Sequence, residues 1–477
     1  MTSLLPKPRP LAWACAVMGG TMLVEPAQVG ASFSGAAIDS RQVVPGRLFF
    51  ALPGERVDGF DFCADAARQG AAALVVSTNR RQPKDCDGVP VLAVADVRRA
   101  LGDLARAVRA RFKGRVVGVT GSNGKTTTKE LIAAALSVGG RVLRTQGNLN
   151  TDVGLPLTVL DATEEEATWV LEMAMRARGE IAYLADIAKP NVGVITNVAG
   201  AHLERLGSLD EVARAKGEIF HGLAEGGIAV FPAADERIER EASLLPEARK
   251  RRFAFASEDP ARCHVRVLDF IPAGENGSVI RLSVGHTPVT VRLPLPGEHN
   301  ARNAAAALAV ASACDLPISA AAAQLESATL PPHRSRLLSV GGRIVMDDCY
   351  NANPTSMRAA LKTVAASVGT ASRAFAILGD MLEVGADTAK LHEALGQEVV
   401  ALKFVGLAAV GELAAHMANG ARSAGLSRQQ VVATLDPDLA ASSIAEWSRP
   451  GDWILIKASR GTRLERALEA LQKKLGS

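Results

Sequence analysis

The run Val116-Val117-Gly118-Val119-Thr120-Gly121-Ser122-Asn123-Gly124-Lys125-Thr126-Thr127 has the residue types of a phosphate cradle. An apolar strand enters a glycine-rich turn, and the turn ends in Lys-Thr at the start of a helix-forming stretch, Lys129 to Val138. Glycines let backbone N–H groups close on phosphate oxygens, and the helix N-terminus adds positive potential. The Lys125 ammonium can reach terminal phosphates and the Thr126 hydroxyl can ligate Mg²⁺. The spacing departs from the generic loop G-x-x-x-x-G-K-[ST], because Val119 holds the outer glycine position and Gly118 stands one residue earlier. The competing reading is an ordinary strand-turn-helix corner. The coincidence of Gly, Lys and Thr with the correct flanking elements favours the cradle. Such a loop implies use of a nucleoside triphosphate without saying for what.

Other chemistry-bearing residues follow at strand ends. Glu172 closes the strand Trp169–Glu172, and a carboxylate there, beside a phosphate-loop strand, is placed for Mg²⁺, though any strand can end in Glu. His202 comes just past Val192–Asn197 and taken alone reads as a surface or packed histidine. Lys216 alone reads as a solvated helical lysine. In Pro296-Gly297-Glu298-His299-Asn300-Ala301-Arg302-Asn303, the Asn amides offer the paired donor and acceptor that suit an adenine edge. A helix N-cap is the plain alternative for Asn300. Asp347-Asp348-Cys349-Tyr350-Asn351-Ala352-Asn353-Pro354 follows a buried strand, and its carboxylates, ring and amides suit a ribose and a base. Leu378-Gly379-Asp380-Met381 and Lys457-Ala458-Ser459-Arg460-Gly461 end two further strands.

The elements that must position these groups fall into three regions of an α/β chain. The first, residues 1–95, has short strands such as Leu48–Leu52 and Ala72–Val76. The helical pattern Arg98 to Phe112 leads into the second, residues 96–330, where strands Val116–Val119, Arg141–Thr145, Trp169–Glu172, Val192–Asn197 and Ile228–Phe231 alternate with helices. That alternation predicts a doubly wound parallel sheet. Val265–Leu268, Val279–Leu282 and Val289–Leu293 then read as antiparallel strands, and Asn300–Ala313 as an Ala-rich helix. In the third region, residues 331–477, strands Ile344–Asp347, Ala374–Leu378, Leu407–Val410, Val431–Leu435 and Trp453–Lys457 predict a second, Rossmann-like unit.

Composition bounds the function classes. A net charge of +4 on 477 residues, without a basic block, argues against a nucleic-acid surface. The six cysteines have no C-x-x-C and no Cys/His ligand spacing, so neither a structural zinc site nor a disulfide framework is expected, and reduced cytosolic thiols are the default. Lys7 and Arg9 before the apolar run Leu11–Val24 have the outline of a signal peptide. Gly19-Gly20 interrupts that run and Glu25-Pro26 closes it, so it reads instead as helix, turn and strand of a folded N-terminal domain. No apolar stretch is long enough for a membrane span.

Taken together, the loop Thr120–Thr126 with Gly118, then Glu172, Asn197…His202, Lys216 and Gly297-x-His299-Asn300-x-x-Asn303, resemble the Mur ligase family in type and order. Within it, Gly147–Thr158, Tyr350-Asn351-Ala352-Asn353-Pro354 and Leu378–Gly385 look like the branch that adds a dipeptide. Asp39-Ser40-Arg41, Pro45-Gly46-x-Leu48-Phe49 and Gly54-Glu55-Arg56-x-Asp58-Gly59 resemble its UDP-sugar domain. The likeness spans essentially the whole chain. Phe60 departs from the His of D-G-H-x-F and Ala458 from the Gly of K-G-S-R, which touches details of the UDP pocket and of the C-terminal contact. The D-N-P-R signature of the diaminopimelate-adding branch is absent.

The resemblance implies a monomeric cytoplasmic ligase that uses ATP and Mg²⁺ to join D-alanyl-D-alanine to UDP-N-acetylmuramoyl-tripeptide through an acyl phosphate, in peptidoglycan precursor synthesis. By that likeness Gly121, Ser122, Asn123, Gly124, Lys125, Thr126 and Thr127 hold the phosphates, with Thr126 on the first Mg²⁺. Glu172, His202 and a carbamylated Lys216 serve the second. Asn300 and Tyr350 contact adenine, Asp348 the ribose, and Arg336 and Asn351 are further nucleotide or closure candidates. Ser40, Arg41, Asp58, Asn148, Asn150, Thr151, Asn353, Ser459 and Arg460 are the substrate candidates. A folylpolyglutamate-type ligase shares the loop but not the UDP-like N-terminal domain. A nucleotide switch would carry N-K-x-D guanine recognition, which is missing, and would have no use for Lys216.

Overall fold

The computed structural model describes residues 6–476, apart from 29, 55–56, 164, 201–205, 256, 259–262, 383 and 386. Its residues form two compact units. The first comprises Met1–Thr120, Gly139–Gly193 and Glu218–Ile228. It contains β1 (Arg9–Pro10), β2 (Thr21–Val24), β3 (Ser32–Phe33), β4 (Ala36–Ala37), β5 (Leu48–Phe50), β6 (Ala73–Ser77), β7 (Val91–Val94), β8 (Arg115–Thr120), β9 (Val142–Arg144) and β10 (Thr168–Glu172). Five of these make a sheet in the order β2-β7-β6-β5-β4, parallel except for β2. The run Leu11–Val24 folds as expected, into a helix at Leu11–Val17, a turn and β2.

The helix Val97–Arg111 starts where the Asp96 carboxylate accepts from the Arg98 and Arg99 amides at 2.8 and 3.0 Å. Its apolar stripe, Val97, Ala100, Leu101, Leu104, Ala105 and Val108, is buried. That stripe packs on β5 and β6 and on the helices Gly154–Leu160 and Glu180–Ala188. The same unit holds β8, which pairs in parallel with β10, and β10 in turn with β9. Every residue of β10 is buried, as a strand covered on both faces requires.

The chain passes between units within β11 (Val192–Ile195). The second unit comprises Gly121–Val138, Val194–Gly217 and Ala229–Ser477. Here β12 (Ile228–Pro232), β13 (Lys250–Phe255) and β14 (Val265–Pro272) run parallel, and β15 (Ser278–Val284) and β16 (Thr287–Leu293) continue the sheet antiparallel. The helix Lys125–Leu136 packs against the Ala-rich helix Glu298–Ala313. The latter is buried without a break from Asn303 to Ala311, and small side chains at Ala301, Ala304, Ala305 and Ala307 let neighbouring elements approach its backbone closely.

The rest of this unit is a six-stranded sheet of β17 (Arg336–Val340), β18 (Arg343–Asp348), β19 (Ala374–Gly379), β20 (Gly406–Val410), β21 (Val431–Thr434) and β22 (Trp453–Lys457). The order is β17-β18-β22-β19-β20-β21, parallel except for the edge strand β17. Successive residues alternate between two cores. Met346, Leu378 and Leu455 face one, while Val345, Ile377 and Ile456 face the other. The last strand in sequence, β22, inserts between β18 and β19, so the C-terminal ends of three neighbouring strands bring Asp348, Lys457 and Gly379 to one edge. Ligands of open α/β sheets bind along such an edge. Two strands of this unit, β13 and β17, are additions to those that the sequence pattern predicts.

Candidate active site

The phosphate loop is built by tight backbone approach. Gly121 has φ +149°, and a Cβ there would lie 1.9 Å from Thr196 Oγ1. Gly124 has φ +77° and caps the helix Lys125–Leu136, and a Cβ there would meet Asn303 Oδ1 at 2.8 Å. Glycine is therefore required at both corners. Side chains from the following loop fix the turn. Asn123 N–H donates to Asn197 Oδ1 at 3.0 Å, and Thr196 Oγ1 and Asn197 Nδ2 donate to the Asn123 carbonyl at 2.6 and 3.0 Å. Ser122 Oγ donates to Ala199 O at 3.0 Å and accepts from Ala199 N–H at 2.9 Å. Thr128 Oγ1 donates to Asn303 Oδ1 at 3.1 Å.

The Lys125 ammonium curls over the loop, 2.8 Å from Gly121 O and 3.4 Å from Ser122 O. Thr126 is buried at the first turn, and no side chain caps the helix N-terminus. An uncapped N-terminus, a lysine and a cradle too tight for any Cβ suit a polyphosphate. Lys216, on the helix Leu209–His221, is 1% exposed. Burial holds its ammonium well below the usual lysine range, and the positive charge of Lys125 pushes the same way.

Asn353 ties the loop to the six-stranded sheet. Its Oδ1 accepts from Ser356 N–H at 2.9 Å as the N-cap of helix Pro354–Ser367, and Asn353 N–H donates to Ser356 Oγ at 3.0 Å. Its Nδ2 donates to Asn123 Oδ1 at 2.6 Å. Beside it, Lys457 Nζ donates to Asp348 Oδ2 at 2.5 Å and to Asn351 O at 3.0 Å. Ser335 N–H donates to Asp348 Oδ1 at 2.9 Å. The Arg334 guanidinium lies 3.8 Å from the centre of the Tyr350 ring, and that of Arg460 5.7 Å from it.

Other expected residues are engaged in local structure. Asn300 is buried, its Nδ2 donating to Pro296 O at 2.8 Å and its Oδ1 accepting from Asn303 Nδ2 at 3.0 Å. Ser459 Oγ accepts from Leu382 N–H and donates to Ala352 O, at 2.9 and 3.2 Å. Arg336 is exposed at the start of β17.

In the first unit, Glu172 ends β10, its N–H donating to Thr145 Oγ1 at 2.9 Å and its Oε1 accepting from Asn150 Nδ2 at 2.8 Å. Asn148 and Thr151 are exposed on the same loop. Asp39 caps the turn Ser40–Gln42 and pairs with the exposed Arg41, while Asp58 caps Gly59–Phe62 and pairs with Arg80. His202 lies outside the described residues.

Sequence reasoning passed over Arg334, a neighbour of the expected site, and gave Lys457 no role beyond its place at a strand end. Lys457 had a signal, a lone charge ending the apolar strand Trp453-Ile454-Leu455-Ile456. Lys457→Met should leave the Asp348 carboxylate without its buried counter-ion and lower stability by about 3 kcal/mol. Urea unfolding checks this, and an unchanged midpoint would remove the pair from the account.

A phosphate loop on an α/β scaffold, joined by Asn123 to a second open sheet with a polar strand edge, defines a nucleotide-using protein of the phosphate-loop class. Three family models match successive stretches: "Mur ligase family, catalytic domain" over residues 32–109, "Mur ligase middle domain" over 119–311, and "Mur ligase, glutamate ligase domain" over 333–460. The chain belongs to the Mur ligase family. It is 36% identical over 440 residues to the UDP-N-acetylmuramoyl-tripeptide–D-alanyl-D-alanine ligase of Escherichia coli (strain K12), covering 91% of this chain and 93% of that protein. The crystal structure of MurF from Acinetobacter baumannii matches with a TM-score of 0.87 at 29% identity, over 98% of this chain and 100% of that one. MurF ligase from Thermotoga maritima, in complex with ADP, matches with a TM-score of 0.80 at 30% identity, over 92% and 97%.

Proposed function

We propose that this chain is an ATP-dependent, ADP-forming ligase that joins D-alanyl-D-alanine to UDP-N-acetylmuramoyl-tripeptide in cytoplasmic peptidoglycan precursor synthesis, acting as a monomer. The observation that carries this reading is the end-to-end likeness to a ligase whose name gives both donor and acceptor. Among the described residues, no helix is long and apolar enough to cross a membrane. The assignment divides the chain into a UDP-substrate domain (1–95), an ATP domain (96–330) and a C-terminal ligase domain (331–477).

A carboxylate is a poor acyl donor, so the reaction needs activation. In the proposed course, a tripeptide carboxylate oxygen attacks the γ-phosphorus of ATP, the bond to the bridging oxygen breaks, and ADP leaves an acyl phosphate. The dipeptide amine then attacks the acyl carbon, inorganic phosphate departs and the amine gives up a proton. Lys125 and the amides of Gly121–Thr127 would hold the phosphates. Magnesium, when bound, would supply charge neutralisation between the anionic partners. Thr126 is assigned to the first ion, and Glu172, His202 and Lys216 to the second.

Lys216 is proposed to carry a carbamate. Burial and the Lys125 charge both favour the neutral amine, which is the form nucleophilic toward carbon dioxide, and the product is a carboxylate in place of a repelling cation. Tyr350 and Asn300 are assigned to the adenine, Asp348 to the ribose, and Arg336 and Asn351 to nucleotide contact or closure. The two internal hydrogen bonds of Asn300 use one Nδ2 hydrogen and one Oδ1 lone pair, which leaves a second donor and a second acceptor for a base. Ser40, Arg41 and Asp58 are assigned to the UDP end, Asn148, Asn150 and Thr151 to the peptide, and Asn353, Ser459 and Arg460 to the dipeptide.

The test offers D-alanyl-D-alanine, D-alanine, diaminopimelate and lysine in competition, with UDP-muramoyl-dipeptide and -tripeptide as donors, and follows phosphate release and product mass. Binding energy from the dipeptide's remote carboxylate helps to position its amine, so D-alanyl-D-alanine should outcompete D-alanine by about 10²-fold or more. Efficient addition of diaminopimelate or lysine to the dipeptide donor would refute the assignment.

A further inference from the structure

Three side chains with metal-ligand chemistry converge where the chain enters β17 and leaves β18. His333 Nδ1 lies 2.9 Å from Asp347 Oδ2 and 3.4 Å from Cys349 Sγ, and the Cys349 thiol donates to Asp347 Oδ1 at 3.0 Å. Their donor atoms all lie within 4.8 Å of one another. Asp347 and Cys349 are buried, and the His333 side chain is 28% exposed, which opens the cluster to solvent on one side.

The arrangement is held by the backbone. His333 and Ser335 both adopt left-handed conformations, with φ +65° and +50°, which are unfavourable for residues other than glycine. Tyr350 N–H donates to His333 O at 3.1 Å, and the Asp348 carboxylate accepts from Ser335 N–H, so the turn is pinned against the end of β18. The imidazole is thereby fixed over the carboxylate and thiol.

A cysteine–histidine–carboxylate relay is the first alternative, and the geometry excludes it. A relay uses the two ring nitrogens for the two partners. Here Nδ1 faces both the carboxylate and the sulfur, and the thiol hydrogen goes to Asp347. A tetrahedral ion with about 2.0–2.3 Å bonds to nitrogen, oxygen and sulfur sets its ligand atoms roughly 3.3–3.6 Å apart. Nδ1 and Sγ already lie at that spacing, and the contact that each makes to one of the two carboxylate oxygens would open by about half an ångström.

We propose that His333, Asp347 and Cys349 form a binding site for a thiophilic divalent cation of the zinc class, with water as the fourth ligand. One nitrogen, one carboxylate oxygen and one sulfur select against Mg²⁺, which demands an octahedral oxygen shell. On binding, a metal–sulfur bond forms as the thiol proton passes to solvent. The hydrogen bonds within the cluster give way to metal bonds. The ion would lock the turn preceding β17 to the strand end that carries Asp348 and Tyr350.

The test uses the full-length protein and Co²⁺ as a spectroscopic probe, in excess Mg²⁺. One equivalent should bind, with a thiolate-to-cobalt charge-transfer band in the near ultraviolet and the intense visible bands of a tetrahedral ion, both bleached by Zn²⁺. Cys349→Ser should abolish the charge-transfer band, and His333→Ala, at a partly exposed turn, should weaken affinity by about tenfold or more. Circular dichroism establishes that each variant is folded. Absence of the band in the wild-type protein, its survival in folded Cys349→Ser, unchanged affinity in folded His333→Ala, or loss of the band to Mg²⁺ would each overturn the proposal.

Discussion

Lys125→Ala is expected to lower the rate of ligation by about three orders of magnitude while leaving the fold intact. The ammonium rests over the Gly121 and Ser122 carbonyls of a loop whose shape is fixed by other groups. Asn197, Thr196 and Ser122 supply those restraints, and none depends on Lys125. Its removal therefore takes away charge where the phosphates are proposed to sit, without opening a core. Stability should change by no more than about 0.5 kcal/mol, as for partly exposed positions generally. Phosphate release with donor and acceptor present reads the first effect, and urea unfolding the second. Near-normal turnover would remove this loop from the ATP site.

Lys216→Ala is expected to cost most of the activity, about 10²-fold or more, and to regain part of it in millimolar acetate or propionate. The side chain is buried, so truncation leaves space that a small carboxylate can fill, and the added acid supplies the charge proposed for the carbamate. Lys216→Met keeps the volume and removes the charge. It should be equally inactive, unrescued by acids, and no less stable than wild type, since a buried lysine carries a desolvation penalty that methionine lacks. Mass analysis of gently handled protein adds an independent reading. Full activity in Lys216→Ala, or acid rescue of Lys216→Met, would leave Lys216 with a packing role only.

The loop at residues 118–127 was legible because its constraints are local: glycines at the two tight corners and a helix directly after Gly124. The strands to which Val116, Trp169, Ala374 and Trp453 belong were legible because both faces are buried and the sequence runs continuously apolar. β13 was not, since Lys250-Arg251-Arg252 looks solvated. In the structure the Arg252 guanidinium is nearly buried and satisfied by Glu239 and Glu247, partners that no periodicity reveals. Lys216 was half legible. It falls in register with Val212 and Ile219, on the buried stripe of its helix, but a lone lysine there says nothing of its chemistry. The cluster of His333, Asp347 and Cys349 was hidden, because the hairpin of β17 and β18 brings together residues that no short ligand motif connects.

The position occupied by Asn353 has a narrow chemical vocabulary. Its carbonyl oxygen starts a helix and its amide nitrogen reaches Asn123, so one side chain must accept at short range and donate in another direction at once. Aspartate could do the first but has no hydrogen for the second, and would keep the tie only if the Asn123 amide turned to donate its Nδ2 hydrogen instead. Serine and threonine could cap but are too short to span both partners, and glutamine carries its oxygen one carbon too far for the cap. Drift at this site is thus restricted from two sides, and a lineage that changes Asn353 must also re-aim or replace the Asn123 amide or relinquish the tie between loop and helix.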